Sequence, residues 1–132
     1  MNYAFQTKVS ASFSDSMQLT IEALKAEGFG VVSQVDMDKK FKEALGKEFK
    51  RYTILGVCMP SYAYQAVAEE ELIGLLLPCN LVVVEKEEDV TFVAAVNPMV
   101  TMQSVSNPAL APLANDVAEK LQRVIRTLAE KQ

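Results

Sequence analysis

The sequence predicts an α+β fold with a mostly antiparallel sheet, and three observations carry that prediction. First, the polar run Lys86-Glu87-Glu88-Asp89 separates two valine-rich stretches, 80–85 and 90–96, at hairpin length, and a hairpin cannot be parallel. Second, strand-like and helix-like stretches alternate along the chain, in the order strand, helix, strand, short helix, strand, helix, hairpin, helix. Third, Leu110, Leu113, Val117, Leu121, Val124 or Ile125, and Leu128 recur as an apolar stripe that fits a long helix lying across a sheet. The 132 residues are the size of one domain, so residues 1–132 are expected to fold as a unit without a metal or disulfide.

Each element has a local reason. Residues 3–12 alternate apolar and polar positions as a strand does, and Ser14-Asp15-Ser16 then offers oxygens to cap a helix. Met17, Ile21 and Leu24 follow at helical spacing, and Gly28 is where a left-handed C-terminal cap costs least. Residues 29–35 read as a strand. Asp36 and Asp38 are candidate caps for a short connector or lid helix that carries Met37, Phe41 and Leu45 on one face and ends at Gly46. Residues 49–58 read as a half-buried or central strand, with Tyr52, Ile54, Gly56 and Cys58 on one face and Arg51, Thr53, Leu55 and Val57 on the other. Pro60 suits the first turn of the next helix, which fades in the acidic run Glu69-Glu70-Glu71, where negative charge opposes the helix dipole. Asn97-Pro98 stops the second hairpin strand, the stretch to Ser106 reads as a loop or irregular strand, and Asn107-Pro108 opens the last helix.

Composition excludes several classes of function. The net charge is −4 with a pI near 4.9, and the basic residues are scattered, so a phosphate backbone is repelled and no nucleic-acid partner is expected. The apolar run from Leu72 is interrupted by Pro78 and Asn80 and ended by Glu85, well short of the ~20 residues a membrane helix needs. No secretory signal pattern opens the sequence, so the expected location is the cytoplasm, with thiols reduced. Without histidine, Ser/His/Asp and Cys/His catalysis are impossible, and the five glycines form no phosphate-binding loop.

The two cysteines are the sharpest candidates for chemistry. Cys58 precedes Pro60 and Cys79 follows Pro78, each at a predicted strand end, so antiparallel pairing of those strands brings the sulfurs together. Cys58 also precedes a helix start, where unpaired amides stabilise a thiolate. The alternatives are packed thiols without chemistry, which is the commoner fate of a free cysteine, a redox pair, or part of a metal site completed weakly by Glu85. The candidate functional site is therefore Cys58, Pro60, Cys79 and Asn80, with no cofactor expected. Asp36 with Asp38, and Glu69 to Glu71, offer paired carboxylates, but helix capping and a solvated helix end account for them. Met99 and Met102, with Val100, either fill core gaps or line an apolar surface for a small ligand, a protein partner or a second subunit.

The residues Gly28-Phe29-Gly30-Val31 before Asp36, Tyr52 through Cys58 before Pro60, and above all Leu75-Leu76-Leu77-Pro78-Cys79-Asn80 resemble the domain of unknown function 302 family. The resemblance covers most of the chain. One departure is Met59, where the family pattern more often has Asn between the first cysteine and the proline. The resemblance implies a TATA-box-binding-protein-like arrangement, a curved antiparallel sheet with helices on one side, assembled as a homodimer and with no established enzymatic activity.

Overall fold

The computed structural model describes residues 2–130. The elements run β1 (Ala4–Val9), α1 (Phe13–Ala26), β2 (Gly30–Asp36), α2 (Met37–Leu45), β3 (Tyr52–Cys58) and α3 (Pro60–Glu69). A 3-10 turn (Glu71–Leu76), β4 (Cys79–Glu87), β5 (Val90–Val96), α4 (Pro98–Thr101), a second 3-10 turn (Met102–Ser104) and α5 (Leu110–Ala129) complete them. The sheet order is β1-β5-β4-β3-β2, and every pairing is antiparallel. The predicted α+β class and element order hold, and the sheet is wholly rather than mostly antiparallel. It is open, with its first and second strands at opposite edges.

Alternation along the strands separates two faces. Thr53, Leu55 and Val57 on β3, Cys79, Leu81 and Val83 on β4, and Thr91, Val93 and Ala95 on β5 point to one side and are buried. There they meet Phe13, Ala23 and Leu24 of α1 and Leu121, Val124, Ile125 and Leu128 of α5. The apolar stripe of the last helix is thus the core stripe that its periodicity predicts, although Leu113 and Val117 are only half-buried and Ala114 and Ala118 take the deeper positions.

Local chemistry fixes the element ends. Ser12, not Ser14 to Ser16, caps α1: its Oγ accepts from the Asp15 amide at 3.1 Å. Phe13 is buried and has to lie within the first turn, which moves the cap one residue before it. At the other end Gly28, with φ 92°, donates its N–H to the Lys25 carbonyl while Phe29 donates to Leu24, and both Leu24 and Phe29 are core residues. Asp36 flanks α2 but its side chain does not cap it. Its Oδ1 accepts from Thr53 Oγ1 at 2.8 Å, and Asp38 Oδ1 accepts from the Tyr52 amide at 3.1 Å, so both acids tie α2 to β3 instead. The stretch after Asn97 is a short helix rather than a loop or strand, because the Asn97 side chain accepts from the Met99 amide and Pro98 occupies the first helical position.

Candidate functional site

Pro60 begins α3 at its first position and Cys58 ends β3 two residues earlier. The Leu77–Pro78 peptide is cis, and Cys79 starts β4 opposite Val57. The cysteines are therefore diagonal rather than directly opposed. Both border one cavity, of about 40 Å³, enclosed by the ends of β3 and β4, by α3, by α4 and by the first turns of α5. Room for roughly two or three waters, or for a small apolar group, is what such a volume offers.

The walls are almost wholly apolar. Phe29, Val57, Ala66, Leu77, Leu110 and Ala114 form most of them, with Met59 and Met102 filling corners. Small side chains leave the space: Ala63 and Ala66 on α3 face Ala114 on α5. Tyr62 supplies the polar fringe. Its hydroxyl meets Asp116 Oδ2 at 3.2 Å, and partial burial together with that carboxylate raises its phenol above the usual range. At the far end of α3, the Asn107 amide donates to the Glu69 carbonyl and to Glu70 Oε1, each at 3.1 Å. These contacts hold α3 against α5.

The two thiols differ in kind. Cys79 is 8% exposed, and burial, helped by the neighbouring Cys58, pushes its thiol up to about 11. It is protonated at neutral pH and a poor nucleophile. Cys58 is half-exposed, and neither cysteine is in a disulfide.

Asn80 and Glu85 do not join them. Asn80 pairs with Gly56 and is exposed on the opposite face of the sheet from Cys79. Glu85 lies six residues further along β4, roughly 20 Å from Cys79 at strand rise, so the cysteine–glutamate metal set does not form. Among the described residues no group of three or more potential protein ligands converges on a metal-sized space. Pro60 shapes the helix start and is itself exposed. Met102 does reach the cavity, whereas Met99 lines an adjoining groove of about 530 Å³ that shares Met102, Leu110 and Ala114 with it. Sequence reasoning finds the cysteines and Met102 but misses Tyr62, Ala66 and Ala114, whose only signal is small or aromatic residues at helical spacing.

Gly56 shows how tightly the neighbouring strand ends are built. A methyl group there would collide with the Ser33 hydroxyl and lie 2.7 Å from Pro78 Cγ, so only glycine lets β2 and the β4 entry close over β3.

The profile of DUF302, a domain of unknown function, matches residues 5–128. No curated protein sequence matches. Among solved structures, the crystal structure of an uncharacterized conserved DUF302 protein from Bacillus stearothermophilus superposes with a TM-score of 0.87 at 30% identity, covering 96% of this chain and 98% of that one. The span of the family match and the shared architecture agree: this chain belongs to the DUF302 family.

Proposed function

We propose that this chain is a homodimeric binding module for a small apolar ligand, which it takes up at the strand ends around Cys58 and Cys79. The observation that carries the reading is the apolar cavity between α3, α5 and the sheet, separated from a larger groove by Met102, Leu110 and Ala114. Alone the cavity admits only a few heavy atoms. The groove lies within the 300–1,000 Å³ typical of ligand sites, and Met102, with three rotatable side-chain bonds, is the wall residue best able to swing aside and join the two spaces. The ligand class is apolar because the lining offers no buried charge to meet an ion.

The second copy is supported by the uncovered face of the sheet. Across four strands Tyr52, Phe92 and Lys8 stand in one row around a buried Val84, and across five Val35, Ile54, Val82, Ala94 and Gln6 stand in the next. An apolar sheet face is commonly covered by another sheet. Two cysteines without a disulfide support a reducing, cytoplasmic setting, and no helix among the described residues is long and apolar enough to cross a membrane. Redox or metal chemistry is the second reading, favoured by the shared position of both thiols at the cavity, with Cys58 the more exposed of the two.

Native mass spectrometry of protein purified without reductant or chelator tests these readings, with wild type and Ala114→Val side by side. The expected result is a dimer with a co-purified organic mass that the valine variant lacks. A bare monomer, or a mass indifferent to Ala114→Val, would overturn the proposal. A bound metal, or a reversible loss of two hydrogens abolished by Cys58→Ser, would install the thiol reading in its place.

A further inference from the structure

One wall of the cavity is α3, and the arm that α3 forms with the 3-10 turn after it is apolar on its solvent side as well. Tyr64 (77% exposed) and Val67 (45%) sit three residues apart on α3, and Leu72 (68%) and Leu75 (83%) sit three apart on the turn, with Leu76 (36%) beside them. A 3-10 turn stacks residues three apart directly above one another, so Leu72 and Leu75 form a ridge. Single exposed leucines are ordinary on a protein surface, but a cluster on one short arm marks a surface that something covers.

Charge says what kind of partner fits. No Lys or Arg occurs between Tyr52 and Glu85, so α3 and the 3-10 turn after it carry acids alone. Glu69 and Glu71 are exposed at the junction of α3 and the turn, flanking the apolar residues. Thirteen Lys and Arg exist in the chain, yet none lies on this arm. An anionic lipid surface or a nucleic acid would be repelled, whereas a segment with apolar side chains on one face and Lys or Arg beside them meets both features.

We infer that the α3 arm docks a basic amphipathic helix of a partner protein, its leucine-like anchors at i, i+3 and i+4 set against Tyr64, Leu72 and Leu75, and its Lys or Arg reaching Glu69 and Glu71. The surface is separate from the cavity interior, so this inference stands or falls independently of the ligand proposal.

The probes are two fluorescently labelled model peptides, one an amphipathic helix of Leu and Lys, the other its Leu and Glu counterpart, titrated into the full chain by anisotropy at low and high salt. The Lys peptide should bind at least ~10-fold more tightly than the Glu peptide, and high salt should weaken it. Leu72→Ser with Leu75→Ser should cost at least ~10-fold in affinity, as loss of two anchors does. Glu69→Gln with Glu71→Gln leaves the apolar surface intact, and should cost about 3- to 10-fold and flatten the salt dependence. These side chains are exposed, so thermal melting of each variant should match wild type. Equal binding of both peptides, no binding of the Lys peptide, or binding unchanged in both paired variants would overturn the inference. It would equally be overturned if the serine pair abolished self-association of the chain, or its adsorption to phosphatidylcholine vesicles, without changing peptide binding.

Discussion

The two ends of the sheet use opposite chemistry. Where β2 passes through α2 into β3, polar groups are interlocked: Asp36 accepts from Thr53 at 2.8 Å and Gln34 at 3.4 Å and pairs with Lys39 at 3.6 Å, Asp38 holds the Tyr52 amide, and Arg51 lies 4.2 Å over the Phe13 ring. At the other end, where β3 passes through α3 into β4, the walls are alanine, leucine and methionine, and volume is left unfilled. The charged residues that look most like a catalytic pair therefore hold a chain crossing together, and the candidate site lies where charge is missing. A polar cluster whose groups are mutually satisfied has little left for a substrate, whereas an apolar wall of small side chains keeps space that only a ligand or a larger side chain can fill.

The largest expected effect that sharpens this contrast is alkaline. Cys79 holds its proton up to about 11 in the folded chain against 9.0 ordinarily, so its contribution to stability is fully present below pH 9 and is lost as pH rises toward 11. Wild type should lose about 2–3 kcal/mol more than Cys79→Val over that window in urea unfolding. Equal losses would mean that the thiol is not buried as described. Next is Gly56→Ala, which forces a methyl group against Ser33 and Pro78 and should cost about 1–3 kcal/mol, read as a lowered melting temperature. An unchanged melting point would show that the strand ends at the cysteine side are loose.

At the polar end, Thr53→Val removes the hydrogen bond that does most to hold the Asp36 carboxyl below its ordinary value of 3.8. The expected loss is about 1 kcal/mol at neutral pH. Because the folded-state value is depressed, that loss should be present above pH ~4 and shrink as pH falls through the folded Asp36 value. A loss that does not depend on acid would assign Thr53 a packing role instead. Smallest is Ala114→Val: filling a cavity should leave stability within about 1 kcal/mol of wild type or raise it, while the same change at Ala23, packed in the main core, should cost about 1–3 kcal/mol. Equal costs at the two alanines would erase the contrast.

Local signals in the sequence account for much of this. The hairpin, the Gly28 helix end, Pro60 at the start of α3 and the stripe on α5 are each set by residues within a few positions of one another, which periodicity and turn chemistry expose directly. The helix start near Ser12 is harder, because serines at 10, 12, 14 and 16 all offer a capping oxygen and only the burial of Phe13 chooses among them. Asp36 reads as a cap because its true partner, Thr53, stands 17 residues away across a strand pair. The cysteines are legible as markers of the strand ends. The cavity is not, since Phe29, Ala66, Met102 and Ala114 come from distant parts of the chain and no short window contains them.

The central claim is that the cysteine end encloses a fillable apolar space. Crystals of wild type and Ala114→Val pressurised with xenon test it most directly. The account predicts a xenon atom among Cys79, Ala66 and Ala114 in wild type and none there in the valine variant. Xenon absent from that position in wild type, or bound alike in both, would contradict it.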